Sequence, residues 1–390
     1  MEPLRTTLPT YDGGGLLNLV SSLQASLGGP RSQAAPLADL DLVSLCANKH
    51  VVLFVIDGLG YHFLKRARAP ALNRTLHQSL SSVFPSTTAS AITTFFTGLS
   101  PREHGNIGWN IYDNRLEDVV SPLPFVRRST GQSLTAEGIE PHTFFDYQAL
   151  TAELDVTSYS VSPQAIAFSE FNRYHAGGGE IRPYATLRTM FSAVAQILEQ
   201  TQKRSFIYAY YPEIDGLGHL HGMGSEQVEA CLTALDRGFE RFLHEVTGTD
   251  TVVLVTADHG FVDPPTDKRL HLPDFPEVKG LLTQLLCGEP RTAFCHVSPG
   301  AEDKFAAVVE GSFADCLDLV PSAEIIQRGY FGPGTDHPQL TSRVGDFTLL
   351  MREDYMLTDA LAGEQRVILK GVHGGLSKSE MRVPLCVVEV

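Results

Sequence analysis

Three apolar runs, each followed at once by acidic residues or histidines, constrain the fold of this chain most. The runs are VVLFVIDGLG (51–60), SFIYAYYPEIDGLGH (205–219) and TVVLVTADHG (251–260). A continuous β-rich run is typical of a strand that is buried on both faces of a parallel sheet. Apolar positions at helical spacing predict a helix over residues 225–246, between the last two strands. This alternation predicts an α/β fold, a doubly wound and mostly parallel sheet sandwiched by helices.

The predicted core comprises residues 48–261 and 371–390, and the terminal run VPLCVVEV is expected to return to it as a last strand. Residues 1–47 are predicted to be an N-terminal surface extension with one amphipathic piece at 16–27.

Residues 262–370 break the alternation of strands and helices. They are rich in Pro and Gly, with strand-like runs at 292–297 and 346–351 and a helix-like piece at 302–311. We therefore predict an inserted small α+β subdomain here. Residues 120–185 are expected to be irregular and to cover the site.

Composition narrows the possible partners. The chain has 390 residues and a formal net charge of −15, which argues against a broad duplex-DNA or anionic-membrane surface. There is no secretory signal pattern and no run of about 18 apolar residues that could span a membrane. The six cysteines are scattered without a CxxC motif and are expected to be reduced thiols in a cytoplasmic protein. The sequence predicts no oligomeric state.

Polar residues follow each predicted strand, where sites form in open α/β sheets. The candidates are Asp57, Asp215, His219, Asp258, His259 and, in a Gly-flanked loop before the last strand, His373. Three Asp and three His form a ligand set for two divalent ions. Carboxylate and imidazole ligands both suit Zn²⁺, and carboxylates also favour Mn²⁺ or Mg²⁺.

Each of these features is weak when taken alone. An Asp-Gly after a strand is usually a turn, as at Asp57, and an Asp and a His at i, i+4 are common on helix surfaces. Their order along the chain supports the hypothesis of a metal site, because each pair of candidate ligands follows a buried strand. His221 is a reserve ligand candidate.

The stretch FPSTTASAITTFFTG (84–98) has helical apolar spacing but begins with several hydroxyls. One of them can cap a helix N-terminus. Another could be a nucleophile, and the residues alone leave open whether this is Ser86, Thr87 or Thr88.

Together these motifs resemble the alkaline phosphatase superfamily, most closely its nucleotide pyrophosphatase/phosphodiesterase branch. The resemblance covers Val51–Ile111, Ser205–Asp263 and Gly371–Val390. The matching motifs are VIDGLG, FPSTTASAITTFFTGLSPREHG, EIDGLGHLHG, TADHG and HGGLSKSEMRVPL.

The resemblance implies a threonine nucleophile at Thr88. This residue stands three positions after Pro85 and about three helical turns before Thr97-Gly98, as in the family. A helix N-terminus there would present free N–H groups to a phosphoryl oxygen. The implied reaction has two displacements, through a phospho-enzyme ester that water releases.

The resemblance also assigns the metal ligands. One ion would be held by Asp215, His219 and His373. The other would be held by Asp57, Thr88, Asp258 and His259.

The chain departs from the branch around the nucleophile. Thr87 stands where the branch usually has Lys, and Ala89–Ile92 stands where it has Phe-Pro-Asn-His. The Asn that the branch uses to hold a phosphoryl oxygen could be Asn106 or Asn110, and Asn110 is preferred.

The leading hypothesis is a two-metal phosphodiesterase or nucleotide pyrophosphatase that acts on a small phosphate ester or nucleotide. A phosphate monoesterase is an alternative, in which Arg102 or Arg115 would have to clamp the phosphate. A phosphonate hydrolase is another alternative, and the absence of the sulfatase signature disfavours a sulfatase. From a different class, a non-catalytic metal-binding regulatory module is possible. Candidates to stack on a nucleobase, although ordinary packing explains each, are Tyr112, Phe144, Phe145, Tyr159 and Tyr174.

Overall fold

The structure is a computed structural model that describes residues 7–30, 32–361 and 363–390. In chain order, the strands are β1 (His50–Ile56), β2 (Leu76–Ser81), β3 (Ile111–Asp113), β4 (Asp118–Ser121), β5 (Val126–Arg127), β6 (Thr157–Pro163), β7 (Glu180–Tyr184), β8 (Ser205–Tyr211), β9 (Thr251–Thr256), β10 (Arg269–His271), β11 (Cys287–Glu289), β12 (Thr292–Cys295), β13 (Leu317–Pro321), β14 (Phe347–Met351), β15 (Met356–Thr358) and β16 (Arg382–Glu389).

The α-helices connect these strands and cover the sheets. In chain order, they are α1 (Leu16–Ser26), α2 (Leu42–Ala47), α3 (Tyr61–Arg66), α4 (Pro70–Thr75), α5 (Thr88–Thr97), α6 (Pro101–His104), α7 (Pro141–Phe145), α8 (Glu170–His175), α9 (Leu187–Gln200), α10 (Glu213–His221), α11 (Glu226–Glu245), α12 (Pro276–Lys279), α13 (Glu302–Phe313), α14 (Ser322–Gln327), α15 (Leu340–Val344) and α16 (Lys378–Met381).

The central sheet has seven strands in the order β2-β16-β9-β1-β8-β6-β7. Strand β1 lies in its middle, parallel to both β8 and β9, and every residue of β1 is buried. The last strand, β16, runs antiparallel to both of its neighbours. The prediction of a mostly parallel α/β sheet is confirmed, and all three apolar runs form strands at its centre.

Helices cover both faces of this sheet. On one face, Phe54 of β1 packs against Phe191 of α9 and Phe242 of α11, at ring-centroid distances of 5.4 and 5.3 Å. On the other face, Phe96 of α5 packs on Tyr208 of β8 at 4.6 Å. The predicted helix over 225–246 is α11, capped at Ser225.

Helix α1 differs from the predicted surface piece, because every residue in it except Ala25 is buried. Several of its polar side chains form hydrogen bonds within the protein. Asn18 Nδ2 donates to the carbonyl oxygens of Tyr11 and Ala35, both at 2.8 Å. The helix therefore forms part of the layer around α5, whereas its serines and Gln suggested exposure.

Residues 120–185 also differ from the predicted irregular segment, because β6 and β7 within them belong to the central sheet. The stretch TSYSVSP of β6 contains Ser, Thr and Pro instead of a continuous apolar run, so its composition does not indicate a buried strand.

The predicted insertion contains a separate antiparallel sheet in the order β11-β12-β14-β13. Helix α13 packs on it around Phe305, Val309 and Phe313. Both predicted strand runs and the predicted helix are present. The division of the chain at residues 261 and 371 stays a prediction.

A buried ion pair fastens this small sheet to the core. The Arg291 guanidinium donates to both carboxylate oxygens of Glu380, at 3.1 and 3.0 Å, and neither side chain is more than 1% exposed. Glu380 also accepts a hydrogen bond from the backbone N–H of Gly375, in the loop that contains His373.

All six cysteines are free thiols. Across the described residues, no helix combines the length and the apolar character that a bilayer crossing requires.

A second buried network lies beneath α5. Asn106 donates to Tyr147 Oη at 3.2 Å, and Tyr147 Oη lies 3.0 Å from His175 Nε2. His175 Nδ1 donates to the Phe171 carbonyl at 2.7 Å. Burial lowers the pKa of His175 to about 3, so the ring stays neutral in the folded protein.

We predict that Arg291→Ala lowers the free energy of unfolding by about 3–5 kcal/mol, because it leaves the Glu380 carboxylate buried without its partner. Urea denaturation measures the change. Arg74→Ala is the control, since Arg74 and Glu240 form an exposed pair, and its cost should stay within about 1 kcal/mol. Equal losses in the two variants would contradict this account of the ion pair.

Stability should also fall with acid because of His175. The unfolded chain protonates this residue near pH 6.5 but the folded chain only near pH 3, so the unfolded state binds the extra proton in between. The contribution to stability is thus present above pH 6.5 and is lost as the pH falls, by about 1.4 kcal/mol per pH unit. Replacing His175 by Phe should make the measured pH slope shallower by this amount. Gln200→Ala, which changes an exposed residue without an ionisable group, is the control and should leave the slope unchanged.

Candidate metal centre

The strand order explains why the predicted ligands meet. Strands β9, β1 and β8 are neighbours and parallel, so their carboxyl ends lie at one edge of the sheet. Asp57 follows β1, Asp258 and His259 follow β9, and α10, which begins two residues after β8, contains Asp215 and His219. The loop before α16 brings His373 to the same place.

The six side chains form two adjacent triads. The ligand atoms within each triad lie within 4.8 Å of one another. The first triad is Asp57, Asp258 and His259, and the second is Asp215, His219 and His373. Asp215 Oδ1 lies 3.4 Å from His219 Nε2, 3.6 Å from His373 Nε2 and 4.0 Å from His259 Nε2, so it stands between the triads.

Backbone carbonyls orient the three histidines. The Nδ1 atoms of His219, His259 and His373 lie 2.9, 3.0 and 3.3 Å from the carbonyl oxygens of Gly371, Gly260 and Ser86. A carbonyl can only accept, so each Nδ1 carries the proton and each Nε2 lone pair faces the triads. This is the arrangement that metal-binding histidines adopt.

Hydrogen bonds also orient two of the carboxylates. Asp258 Oδ1 accepts from the backbone N–H groups of Gly58 and His259, and Asp57 Oδ2 accepts from the Tyr210 hydroxyl. The remaining oxygens, Asp57 Oδ1, Asp258 Oδ2 and Asp215 Oδ1, are buried and have no hydrogen-bond donor within the described part of the chain.

Asp57 Oδ1 faces the unprotonated His259 Nε2 at 3.2 Å, so two lone pairs meet. Buried polar atoms are almost always paired in proteins. A cation between these acceptors would satisfy all of them, and the donor set therefore fits divalent metal ions.

The pKa shifts of these residues also indicate that the site lacks positive charge. Burial, and then the charge of Asp215, raises the pKa of Asp57, and burial and the charge of Asp57 raise that of Asp258. Burial lowers the pKa of His219, but the nearby carboxylates of Asp215 and Asp57 and the Gly371 carbonyl together outweigh this and raise it to about 9. Burial and the charges of the other two histidines lower the pKa of His373.

Thr88 is the first residue of α5, and its hydroxyl reaches the first triad. Its Oγ1 lies 3.1 Å from His259 Nε2 and 3.5 Å from Asp57 Oδ2. The neighbouring hydroxyls point elsewhere, since Ser86 donates to the Gly375 carbonyl and Thr87 donates to Glu289. Gly98 ends the helix in the left-handed conformation, with φ of +68°.

A cavity of about 380 Å³ opens beside the second triad and Thr88. Its wall includes Asn110, whose Oδ1 accepts from Ser121 at 2.8 Å. Asn106, the other candidate, is turned away into the buried network under α5.

Sequence reasoning missed much of this wall. The structure adds Trp109, Arg128, Glu289 and Asp359, together with Leu285, Leu286, Pro290, Leu357 and Leu369. Most of these lie in the segment where no motif could be assigned. Trp109 offered a signal, as the single Trp of the chain beside the candidate Asn.

Apart from Asn110, the predicted substrate contacts outside the metal site do not reach the cavity. None of the five aromatic candidates lines it, and Phe144 and Phe145 are core residues. Arg102 pairs with Asp336 and Arg115 pairs with Asp113, so neither serves as a clamp in this structure. His221 is exposed and stands outside both triads.

Glu289 is the most unusual residue of the wall. Its Oε1 accepts from Thr87 Oγ1 and from the Trp109 backbone N–H, each at 2.6 Å. Burial nevertheless raises the pKa of Glu289 to about 7.

Comparison with known proteins identifies the family of this chain. A family model described as type I phosphodiesterase / nucleotide pyrophosphatase matches residues 51–376. The chain is 26% identical to ectonucleotide pyrophosphatase/phosphodiesterase family member 3 of Rattus norvegicus over 255 residues, and to that of Mus musculus over 250. Each match covers 60% of this chain, and the chain spans 27% of the length of these relatives.

Two groups of solved structures share the fold. Murine ectonucleotide pyrophosphatase/phosphodiesterase 5 has a TM-score of 0.66 at 16% identity, over 86% of this chain and 87% of that one. An inactive form of that protein was solved in complex with AMP. Phosphonoacetate hydrolase from Sinorhizobium meliloti 1021, solved with phosphonoformate, has a TM-score of 0.61 at 18% identity, over 87% and 90% of the two chains.

Asp258→Asn should change the free energy of unfolding in opposite directions when metal is removed by a chelator and when zinc is in excess. In chelator the variant should be more stable than the wild type by about 1–2 kcal/mol, because it removes buried charge repulsion while Oδ1 keeps its two backbone donors. In excess zinc it should be the less stable protein, because it binds an ion more weakly. Thermal denaturation under both conditions measures this. A variant that is less stable than the wild type in chelator as well would contradict the repulsion.

Proposed function

Since the chain belongs to the type I phosphodiesterase/nucleotide pyrophosphatase family, we propose that it is a metal-dependent hydrolase of small phosphodiesters or nucleotides, with Thr88 as the nucleophile. The position of Thr88 supports this most directly. Its hydroxyl lies at a helix N-terminus, against the first triad and at the floor of the cavity. A nucleophile, cation ligands and space for a substrate thus coincide.

We assign Asp57, Asp258 and His259, with Thr88, to one ion and the second triad to the other. When bound, the ions would supply positive charge for the phosphoryl oxygens and would favour the ionised hydroxyl of Thr88. Three His ligands and three carboxylates suit Zn²⁺ best. A cytoplasmic location stays a prediction.

The remaining groups would bind and orient the substrate. The free N–H groups at the start of α5 would face the phosphoryl group and favour negative charge there. Asn110 reaches the cavity and would donate through its amide to a phosphoryl oxygen. Its Oδ1 bond from Ser121 fixes the amide orientation, so that Nδ2 is the atom left to donate.

The leaving group would occupy the apolar side of the cavity. Leu285, Leu286 and the half-exposed Trp109 offer a surface for a flat or apolar group, such as a nucleoside. The AMP complex of the murine relative supports a nucleotide substrate.

A phosphonate hydrolase is the second candidate. The similarity to phosphonoacetate hydrolase, over 87% of this chain, favours it at the level of fold. A wall that is mainly apolar beyond Thr88 suits a small dianionic phosphonate less well than an organic ester group.

Hydrolysis of a nitrophenyl thymidine phosphodiester, nitrophenyl phosphate and phosphonoacetate by the zinc-loaded protein tests the proposal. We expect kcat/KM to be highest for the diester. Thr88→Ala should lower it by about 10³-fold or more, because the reaction loses its nucleophile. Ser90→Ala on the same helix is the control and should retain activity, since Ser90 is not among the cavity residues.

Other outcomes would change the assignment. Preference for the monoester would indicate a phosphatase, and cleavage of phosphonoacetate alone would indicate the second candidate. An undiminished Thr88→Ala enzyme would show that the nucleophile is a different residue. Failure to cleave any of the three compounds with two metals bound would favour a non-catalytic module.

A further inference from the structure

The inserted sheet places one carboxylate against Thr87, the residue that precedes the nucleophile. Glu289 is the last residue of β11, is 8% exposed and lines the same cavity as Thr88. It accepts from the side chain of Thr87, the residue before the nucleophile. Both of its hydrogen bonds fall on Oε1, so Oε2 has no donor among the described residues.

Glu289 differs from the other charged residues of the wall outside the triads. Asp359 is paired with Lys279 at 2.7 Å, and Arg128 is paired with Glu364 at 2.6 Å. Within the described residues, Glu289 forms no ion pair with an Arg or a Lys. The cavity beyond the metal ligands therefore contains one negative charge that no side-chain cation offsets.

Close backbone packing fixes the position of this charge. A Cβ atom at Gly374, next to the ligand His373, would lie 2.4 Å from Glu289 Cβ. On the other side, a Cβ atom at Gly108 would lie 2.5 Å from Gly288 Cα. Strand β11 is held between these two glycines, so its backbone at Glu289 cannot shift without displacing the loop that contains His373 or the segment at Gly108.

We propose that Glu289 is a specificity-determining residue that selects phosphoryl groups with a single negative charge and disfavours dianionic ones. A phosphodiester carries one negative charge, whereas a phosphate monoester carries two at pH 8. The phosphoryl group must lie in contact with Thr88, in the cavity that Glu289 also lines. The additional charge of the monoester is therefore repelled in a partly water-excluded site, where such repulsion is strong.

This inference deepens the proposed function and rests on it, because it explains how that site distinguishes diesters from monoesters. It also gives a reason for Thr87 at a position where Lys is usual in the family. The Thr87 hydroxyl holds the carboxylate without neutralising its charge.

The test compares kcat/KM for nitrophenyl phosphate and for the nitrophenyl thymidine diester at pH 8, in the zinc-loaded wild type and in Glu289→Gln. The Gln side chain keeps the shape and an acceptor oxygen for Thr87 and Trp109. We expect the ratio of monoester to diester activity to rise about tenfold. Glu310→Gln, which removes an exposed charge from helix α13 of the same segment, should leave the ratio unchanged.

A ratio in Glu289→Gln that stays within about twofold of the wild type would overturn the inference. Equal losses for both substrates would likewise overturn it, because they would show that Glu289 only positions Thr87 and Trp109. If Glu289→Gln does not fold or does not bind two ions, Glu289→Ala provides the same comparison.

Binding of inorganic phosphate, measured by calorimetry at pH 8, separates this inference from the proposed function. Phosphate is mostly dianionic there and should bind zinc-loaded Glu289→Gln about tenfold more tightly than the wild type. If phosphate binds in this way while no ester is cleaved, the proposed function fails and the charge selection stands. Equal phosphate affinity in the two proteins would refute the charge selection whatever the activity.

Discussion

Repulsion among three carboxylates at one edge of the sheet is the constraint on which the rest of the site depends. Asp57 and Asp258 are buried, and Asp215 lies beside them. Because β9, β1 and β8 are neighbouring strands, the residues that follow them meet at one edge of the sheet. Donors from the backbone and from Tyr210 hold one oxygen each of Asp57 and Asp258, whereas the inward oxygens of all three have no donor among the residues that the structure describes. Such a cluster destabilises the protein without cations and prepares it to bind them, a common relation between function and stability.

The inserted sheet takes part in this site. Its β11–β12 hairpin contacts the His373 loop through Arg291 and Thr292, which bind Glu380 and the Gly374 carbonyl. It also places Glu289 in the cavity, next to the residue that precedes the nucleophile. The second metal triad and the substrate wall therefore depend on a segment that is distant in sequence from the strand ends.

The sequence allowed the centre of the fold and the ligand set to be predicted, because uninterrupted apolar runs have few alternatives to central parallel strands. Asp57, Asp215 and Asp258 follow such runs, so their meeting is a consequence of topology. The wall of the cavity was not predictable in this way. Glu289 and Trp109 reach it through a bridge between Asn110 and Gly288, a long-range pairing without local periodicity. The burial of α1 and the Ser-rich strand β6 were missed because tertiary packing overrode their polar composition.

Crystals of the zinc-loaded protein, with diffraction data collected on both sides of the zinc absorption edge, would test the central claim most directly. The account predicts two anomalous peaks for each chain, one within contact distance of Asp57, Asp258 and His259 and the other within contact distance of Asp215, His219 and His373. A single peak, or peaks away from these side chains, would contradict it.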